Sequence, residues 1–504
     1  MASHVLTASV IGLEAHRVDI ETDISQGLGA CIIVGLADTA VQEARERVRS
    51  ALKHTGIVFP RTRITVNLAP ADLRKSGSHF DLPIALALIA SSRGLDDAAF
   101  KKRLIAGELG LDGCLRPIQG ALSMAMLAKS AGIKELIIPE ANAHEAALVY
   151  GVDVYSASSL ADVIDHVTEK KSLTKFENNL DDIRETIIYS YDFSMIRGQE
   201  QAKRALEIAA AGAHNVLMQG PPGSGKTLLA RTFSSILPPL DGDEILEVTQ
   251  IHSVAGTLPP QGVVLERPCR VPHHSASMPS LIGGGTIPRP GEISLAHRGV
   301  LFLDEFLEFP RVLLESLRQP LEDKCVTVSR AGGTALFPAN FILIGAMNPC
   351  PCGFLTEQDI ECTCSPLQVA KYRKRLSGPL LDRMDLAIEV AKVPAKDLTR
   401  KERNESSKII RERVLQARKL QTERFKTTGI KTNAEMTSQH VRELIRLDET
   451  TEAILSRSID RYKLSARAYF RLLKVARTIA DLGGAEDLSA EHVAEALQYR
   501  LQMA

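Results

Sequence analysis

Three short runs of apolar residues stand in the middle of the chain, and each of them ends in polar side chains. The runs cover 215–219, 299–303 and 341–347. Short runs that are mostly or entirely apolar are typical of strands that are buried on both faces of a parallel sheet. Ligands of such sheets bind beyond the carboxyl ends of the strands. The pattern therefore predicts an α/β core whose functional residues directly follow the three runs.

Apolar positions follow a different spacing elsewhere in the chain. Helical periodicity marks the last part, for example at 414–415 and 469–476, whereas the first part up to about residue 165 alternates β-like and helical segments. The polar stretch between this first part and the core has the composition of a linker. We therefore predict an N-terminal α+β domain at 1–168, a linker at 169–190, the α/β core at 191–395 and a helical domain at 396–504.

Composition limits what the protein acts on. Its 504 residues exceed what one hydrophobic core usually holds, and its 61 basic residues are balanced by 61 acidic ones. Because the formal net charge is zero, no global field attracts nucleic acid or membranes, and any DNA-binding surface must be local. The absence of tryptophan argues against aromatic stacking as the main mode of single-strand binding.

Targeting signals are not apparent in the sequence. It contains no run of about 18 apolar residues that could span a membrane, and its first residues lack the basic and apolar regions of a signal peptide. We therefore expect a cytoplasmic protein. Its eight cysteines are then expected to be thiols or metal ligands rather than disulfides.

The first apolar run leads into a glycine-rich turn that fits the phosphate-binding pattern G-x-x-x-x-G-K-[ST] without a mismatch. A helix-forming stretch follows at 228–233. The glycines let backbone N–H groups face the phosphates of ATP, and the helix N-terminus adds a favourable dipole. We expect Lys226 to reach the β- and γ-phosphates and the Thr227 hydroxyl to bind Mg²⁺. The predicted ATP-binding residues are Gly220, Pro221, Pro222, Gly223, Ser224, Gly225, Lys226 and Thr227.

The second apolar run ends in two acidic residues, Asp304 and Glu305. An acidic pair in this position, behind a phosphate loop, supplies the rest of a hydrolytic nucleotide site. We expect Asp304 to hold Mg²⁺, directly or through water, and Glu305 to polarise the attacking water as a general base. The alternative, a strand that ends in solvated acids, is disfavoured by the phosphate loop upstream.

The third run ends at Asn348, and this strand–Asn pattern resembles sensor 1 of the AAA+ ATPases. The segment 196–199 resembles the part of that superfamily that packs near adenine. The segment 380–385 resembles the arginine-finger segment, which implies that Arg383 acts on the ATP of a neighbouring subunit in a ring. Arg467, near the start of a C-terminal helix, resembles sensor 2. The alternative for both arginines is an ordinary surface salt bridge.

Four cysteines follow Asn348 closely, in two C-x-C pairs. They are Cys350, Cys352, Cys362 and Cys364. Four thiolates on one loop match the tetrahedral coordination of structural zinc, although the spacing within each pair is tighter than the usual C-x2-C. Free thiols are the alternative.

Two insertions distinguish the core from a minimal nucleotide-binding domain. The first, from 251 to about 298, carries the adjacent residues His273 and His274, for which we expect a packing or hydrogen-bonding role rather than metal binding. The second, 324–337, has two β-rich runs around a glycine pair and predicts a hairpin. It resembles the pore hairpin of the helicase-type AAA+ proteins. That resemblance implies that Lys324 and Arg330 contact DNA phosphates, and a solvated hairpin is the alternative.

The N-terminal domain resembles the Lon-protease-like fold, which is of the ribosomal S5 domain 2-like type. The matching segments are 73–85, 107–118 and 131–139. In this register the position of the nucleophilic serine is occupied by His79, and that of the activating lysine by Leu122. Because a Ser–Lys dyad needs both groups, we predict the fold without proteolysis.

The order of these features, from the protease-like domain through the phosphate loop and the cysteine pairs to Arg383, resembles the magnesium-chelatase-like AAA+ ATPases, and within them the ComM/YifB group. The resemblance extends over essentially the whole chain and includes a helical lid of the chelatase C-terminal type. It implies a homohexamer that uses ATP and Mg²⁺ to move on branched or single-stranded DNA. For this group it also implies branch migration during natural transformation.

Two other functions stay open at this point. One is a chelatase-type motor for metal insertion into a porphyrin. The protease-like N-terminal domain argues against this function, because we expect such a domain to be foreign to the chelatase motor subunit. The other is an ATPase that remodels a protein partner bound at residues 1–168. For the basic stretch 400–419 we expect the solvated face of a helix rather than a DNA-binding surface.

Overall fold

The computed structural model describes residues 3–96, 99–177, 189–330, 333–357, 359–394 and 404–500. Its N-terminal part is built on a sheet of seven strands in the order β3-β4-β2-β1-β5-β8-β9. In this sheet β2 is antiparallel to both of its neighbours, β1 and β4. The strands of this part are β1 (Ser3–Ile11), β2 (Glu14–Ser25), β3 (Ala30–Val34), β4 (Arg63–Ala69), β5 (Arg103–Ile105), β6 (Glu108–Leu109), β7 (Leu115–Arg116), β8 (Glu135–Pro139) and β9 (Asp153–Ala157).

Helices pack against this sheet through apolar faces. The helix Thr39–His54 shows why: Val41, Ala44 and Val48 recur at helical spacing and are all buried. Its first turn is capped by Asp38, whose carboxylate accepts a hydrogen bond from the amide of Val41 at 2.9 Å. The other helices here are Asp81–Arg93, Ala121–Ser130, Ala143–Ala146 and Leu160–Val167.

His79 and Leu122, which were predicted to replace the serine and lysine of a Ser–Lys dyad, are both buried. His79 donates a hydrogen bond from Nε2 to the carbonyl oxygen of Ala8 at 2.9 Å, and its burial lowers the pKa of the imidazole to about 4. Leu122 is fully buried in the hydrophobic cluster beneath the sheet. Neither side chain therefore offers the nucleophile or the amine of a Ser–Lys dyad.

We expect acid to destabilise the N-terminal sheet through His79. Because the pKa is about 4 in the folded chain and about 6.5 in the unfolded chain, unfolding takes up a proton between these values. This contribution to stability is complete above pH 6.5 and is lost as the pH falls towards 4, to a total of about 3 kcal/mol. The His79→Gln variant keeps an N–H donor for Ala8 but does not titrate.

Urea unfolding at about pH 7.5 and about pH 5 measures this effect. Native protein should lose more stability on acidification than His79→Gln, whereas the exposed control His54→Gln should behave like the native chain. Equal losses in native protein and His79→Gln would contradict the prediction.

The predicted linker begins as part of the N-terminal fold. Lys175 forms an antiparallel bridge with Tyr155 of β9, and the amide of Phe176 donates to the carbonyl of Val154 at 2.8 Å. The remainder, at 178–188, lies outside the described residues, as does the predicted boundary at 395–403.

The core contains the predicted parallel sheet, and all three apolar runs form strands of it. The order is β11-β14-β17-β10-β18, with every neighbouring pair parallel. The runs at 215–219, 299–303 and 341–347 correspond to β10, β14 and β17, whose carboxyl ends meet at one edge. The core strands are β10 (Val216–Gln219), β11 (Cys269–Arg270), β12 (Gly283–Gly284), β13 (Arg289–Pro290), β14 (Val300–Leu303), β15 (Cys325–Arg330), β16 (Gly333–Pro338), β17 (Ile342–Met347) and β18 (Leu386–Glu389).

Helices and one hairpin complete the core. The hairpin predicted before the third strand is confirmed as the antiparallel pair β15 and β16. The core helices are Glu200–Gly212, Lys226–Phe233, Gly242–Ala255, Met278–Ile282, Glu292–Leu295, Arg311–Ser316, Arg318–Asp323, Pro366–Arg373 and Gly378–Leu381.

The C-terminal part is helical, and it packs on the core. Its helices are Ser407–Arg424, Ser438–Leu444, Glu449–Tyr462, Ala466–Leu482 and Ala490–Gln498. In the part of the chain that the structure describes, no helix has the length and apolar character that a membrane span requires.

The expectation of a solvated basic face at 400–419 is wrong for three of its arginines. Arg411 donates to the carbonyl of Ser235, Arg413 pairs with Glu207 at 2.5 Å, and Arg418 donates to the carbonyl of Ala210 at 2.8 Å. These side chains hold the first C-terminal helix against the core. The segment 400–403 lies outside the described residues.

Candidate nucleotide site

The phosphate loop joins the carboxyl end of β10 to the helix Lys226–Phe233. The first position of the loop requires glycine, because a Cβ atom on Gly220 would lie 2.2 Å from the carbonyl oxygen of Val390. Gly223 has φ +76°, a left-handed conformation that favours glycine. The sequence thus bends the chain so that the loop lies over the helix N-terminus.

Lys226 and Asn348 meet at this loop. The ammonium of Lys226 donates to the carbonyl oxygens of Gly220 and Pro221 at 2.7 and 2.8 Å, and it lies 3.4 Å from Oδ1 of Asn348. Burial lowers the pKa of Lys226. The two side chains that the sequence assigns to the γ-phosphate therefore lie side by side, although they are 122 residues apart.

The two side chains predicted to hold Mg²⁺ are also in contact. The hydroxyl of Thr227 donates to Oδ2 of Asp304 at 2.7 Å. This pairing results from the sheet order, since β10 and β14 are both neighbours of β17. A hydroxyl and a carboxylate are oxygen ligands of the kind that Mg²⁺ takes in phosphate-transfer sites, so these residues fit that ion.

Glu305 has an unusual backbone and an unexpected partner. Its φ is +51°, which is uncommon for a residue with a side chain. Its carboxylate lies 3.0 Å from Nδ1 of His274, and the rings of His273 and His274 are in contact, with centroids 4.1 Å apart and planes tilted by 34°. The first insertion therefore reaches the predicted general base and orients its carboxylate.

The packing or hydrogen-bonding role expected for these histidines is confirmed, but the sequence did not identify Glu305 as the partner of His274. The one available signal was its place in the insertion that precedes Asp304. Spacing along the chain does not show that an insertion folds back onto the strand that follows it.

The loop, the acidic pair and the histidines enclose one cavity of 690 Å³. This volume is within the range of pockets that hold small ligands and cofactors. Gln199, from the segment expected near adenine, donates from Nε2 to the carbonyl oxygen of Ser224 at 3.3 Å. The residues that line the cavity are Pro222–Thr227, Arg231, Val271–His274, Asp304, Glu305 and Asn348.

Arg383 lies at the opposite edge of the sheet. Its carbonyl accepts a hydrogen bond from Asn215 at 2.8 Å, and Asn215 precedes β10, whereas the phosphate loop follows this strand. The four residues of β10 separate the two edges by roughly 13 Å. The guanidinium of Arg383 donates to Glu322 at 2.5 Å. It therefore points away from the phosphate loop of its own chain.

Arg467 shares this edge with Arg383. It is exposed near the start of the helix Ala466–Leu482. The pKa of Glu322 is lowered by its hydrogen bond with Arg383 and also by the charge of Arg467, so that both arginines act on one carboxylate. Neither arginine lines the cavity at the phosphate loop.

The four cysteines converge as predicted, with sulfur atoms that all lie within 4.8 Å of one another. The sulfur atoms of Cys350 and Cys352 are 3.3 Å apart, and Cys362 lies 3.7 and 3.5 Å from them. Zinc–sulfur bonds of about 2.3 Å in a tetrahedron place sulfur atoms about 3.8 Å apart. The donor set and the distances therefore fit a zinc ion.

The cysteine loop also packs on the phosphate loop. A Cβ atom on Gly353 would lie 2.6 Å from Cδ of Pro222. Since the same loop starts at Asn348, the cysteine cluster is connected to the nucleotide site through two contacts.

The two residues predicted to contact DNA lie at different ends of the hairpin. Arg330 is exposed at the end of β15 next to the turn. Lys324 immediately precedes β15, and its side chain lines a cavity near Glu435, where burial lowers its pKa. We therefore carry only Arg330 forward as a candidate DNA contact.

Three regions of the chain match family models of a magnesium chelatase subunit. Residues 192–398 match "Magnesium chelatase, subunit ChlI", residues 20–142 match "Subunit ChlI of Mg-chelatase", and residues 404–500 match "Magnesium chelatase, subunit ChlI C-terminal". The second match includes much of the N-terminal domain. It runs counter to the expectation that this domain is foreign to proteins described as chelatase subunits.

Individual relatives cover nearly all of the chain. The competence protein ComM of Haemophilus influenzae is 44% identical over 502 residues, which cover 98% of this chain and 97% of the relative. YifB of Salmonella typhimurium is 43% identical and covers 98% of this chain and 96% of its own length. A magnesium-chelatase 67 kDa subunit of Chlorobaculum parvum is 28% identical over 194 residues, covering 36% of this chain and 28% of that protein.

Proposed function

The chain belongs to the magnesium-chelatase-like ATPase family, with relatives such as ComM and YifB, and from this premise we propose that it is a ring-forming ATPase that moves on DNA. The observation that carries the proposal is the separation of the phosphate loop and Arg383 to opposite edges of one sheet. One chain thus presents the nucleotide on one side and the arginine that completes the site on the other.

The chemistry of the proposed hydrolysis follows from the contacts in the cavity. Lys226 and Asn348, which lie side by side, would bind the γ-phosphate, and Thr227 and Asp304 would hold Mg²⁺. A bound Mg²⁺ would supply positive charge close to the phosphate oxygens. Glu305 orients the attacking water and accepts its proton. Its contact with His274 fixes the carboxylate until water and the γ-phosphate are in place.

A closed ring supplies the missing arginines. Arg383 and Arg467 lie on the edge that a neighbouring subunit's nucleotide would meet, and head-to-tail contacts of this kind close into rings. The guanidinium of Arg383 then exchanges Glu322 for the transferring phosphate, where it stabilises developing charge. A homohexamer is the assembly that we propose.

DNA is the proposed track because of the hairpin and the name of one relative. Arg330 lies beside the turn of β15 and β16, which in a ring would point towards the central channel. The most similar relatives include a competence protein. We therefore propose branch migration of recombining DNA during natural transformation, carried out in the cytoplasm.

Migration of a labelled three- or four-strand DNA junction tests this function. Native protein with ATP and Mg²⁺ is expected to move the junction, and the Lys226→Ala variant is expected not to, because it lacks the ammonium at the γ-phosphate. If native protein hydrolyses ATP but neither moves junctions nor responds to any DNA, the DNA function is excluded. Remodelling of a protein partner bound at residues 1–168 would then be favoured.

A chelatase-type motor is the second candidate, because all three family models carry the description of that subunit. ATPase measurements with chelatase partner subunits separate the two functions. Stimulation by those partners and not by DNA would favour metal insertion into a porphyrin, and the reverse result would favour the DNA motor.

We also propose that Cys350, Cys352, Cys362 and Cys364 hold a structural zinc ion that stiffens the loop after Asn348. Purified protein should contain one zinc per chain by elemental analysis. The Cys352→Ser variant should lose the metal and bind a fluorescent ATP analogue about tenfold more weakly, since Gly353 no longer supports Pro222.

Cys325→Ser is the matched control for zinc, because Cys325 lies in β15 and outside the cluster. It should keep both the metal and the affinity for the ATP analogue. Native protein without stoichiometric metal, or a Cys352→Ser variant with native zinc content, would contradict the prediction.

A further inference from the structure

A second large cavity lies at the edge of the core sheet that is remote from the phosphate loop. Its volume is 470 Å³, and it lies between the starts of β14 and β17 on one side and the C-terminal segment 418–435 on the other. Phe341 and Ile342 contribute one wall, and Phe425 and Ile430 another. The cavity therefore bridges the ATPase core and the C-terminal helices.

Six basic side chains line this cavity, and three of them are neutralised by carboxylates. Arg267 pairs with Glu244 at 2.7 Å, Arg298 with Glu247 at 2.7 Å, and Lys431 with Asp241 at 2.9 Å. The remaining three are Lys324, Arg418 and Lys426.

The remaining three cations form no ion pair with a carboxylate among the described residues. One further carboxylate, Glu435, lines the cavity, but it accepts hydrogen bonds from the amide of Lys431 at 2.7 Å and from Asn340 at 2.9 Å. Even with Glu435 counted, the cavity keeps an excess of positive charge.

The excess charge is partly withdrawn from water. Burial lowers the pKa of Lys324, and it lowers the pKa of Arg418 to about 10. Both Nε and Nη2 of Arg418 donate to the carbonyl oxygen of Ala210. The guanidinium has further N–H donors that can bind another acceptor. Lys324 and Arg418 are half-buried and Lys426 is exposed. Cations that are partly withdrawn from water and lack an anion are unfavourable, so that these three side chains would attract an anion that enters the cavity.

An uncharged donor completes the set. The hydroxyl of Thr432 is buried and has no hydrogen-bond partner in the described structure, and Thr432 lines the same cavity. Buried hydroxyls usually have partners, so this one is available to a polar group that reaches it from the cavity.

We propose that this cavity binds a phosphorylated small molecule of about nucleotide size, with its phosphate groups on Lys324, Arg418 and Lys426 and its apolar part against Phe341 and Phe425. Oxyanions suit a group of cations and a hydroxyl, and the aromatic walls suit a ring or an aliphatic chain. The site is distinct from the ATP cavity. It gives the protein a second ligand, whose binding links the core to the C-terminal helices.

Inorganic pyrophosphate is the probe, and the full-length Lys226→Ala variant is the background, because pyrophosphate also suits the phosphate loop. Isothermal titration without Mg²⁺ should show one site per chain with Kd of about 1 mM or tighter. Lys324→Met and Lys426→Ala should each weaken binding by about tenfold or more. Lys419→Ala is the control for lost charge, since Lys419 is exposed on the helix that carries Arg418 and lies outside the cavity.

Thr432→Val gives a test that does not depend on charge. Removal of an unpartnered buried hydroxyl should leave folding intact or strengthen it, yet it should weaken pyrophosphate binding. Unchanged affinity in Lys324→Met and Lys426→Ala, or no binding to the Lys226→Ala background, overturns the proposal. Displacement of pyrophosphate by a short DNA duplex would assign the phosphates to a DNA backbone and overturn the small-molecule assignment. None of these results depends on hydrolysis or movement on DNA.

Discussion

The Glu305→Gln variant is expected to bind ATP as native protein does and to hydrolyse it at least about 100-fold more slowly, because the general base is removed and little else changes. The amide keeps the size of the carboxylate, and the backbone at φ +51° is unaffected. Asp304 and Thr227 remain to hold Mg²⁺. Binding of a fluorescent ATP analogue and steady-state release of phosphate measure the two effects separately.

Glu308→Gln is the control for this substitution. Glu308 ends the short helical turn Phe306–Glu308 that follows Glu305, and it pairs with Arg375 at 3.0 Å outside the nucleotide cavity. The control should hydrolyse ATP at nearly the native rate. Retained turnover in Glu305→Gln would remove this residue from the mechanism and would direct attention to another base near His274.

The Arg383→Ala variant is expected to lose about 10³-fold in ATP hydrolysis while its own nucleotide site stays intact. The reason is geometric. Arg383 lies at the edge of the sheet where β10 begins, and the phosphate loop lies where β10 ends. We therefore expect its guanidinium to act on the nucleotide of a neighbouring subunit.

Mixing two inactive variants tests this geometry directly. Arg383→Ala keeps the phosphate loop, and Lys226→Ala keeps the arginine, so that some interfaces of a mixed ring contain both intact parts. Hydrolysis should reappear on mixing, although neither variant hydrolyses ATP alone. Failure of the mixture, in rings shown to contain both variants, would contradict action between subunits.

Arg375→Ala serves as the control for lost charge near the same segment. Arg375 pairs with Glu308 and donates to the carbonyl of Leu307 within its own chain. It should reduce stability slightly and leave hydrolysis close to native, because surface pairs of this kind contribute little.

The parts of the site that are continuous in sequence were predictable. The phosphate loop needs glycines, a lysine and a hydroxyl at fixed spacing, and this spacing is the same in the folded chain. The strands that end at Asp304 and Asn348 were predicted because burial on both faces requires apolar side chains throughout. The four cysteines share one loop, so their convergence also followed from spacing.

Contacts between side chains that are far apart in the sequence were not predictable in the same way. Sequence assigned Lys324 to DNA because of its charge and its place before a hairpin, but the fold directs its side chain into the cavity near Glu435. The sequence also predicted that Arg418 lies on a solvated helix face, whereas its side chain donates a hydrogen bond to the carbonyl of Ala210. A helical stretch shows which residues share a face, but not which neighbour covers that face.

The sequence alone determined the apolar strands and the phosphate loop, because these depend on short-range spacing and on the burial of single segments. Only the tertiary structure decided that His274 contacts Glu305 and that Arg383 and Arg467 share the edge opposite Lys226. The physical reason is the order of parallel strands in the sheet. This order brings together residues that are far apart in the chain, and it separates others by the full length of a strand.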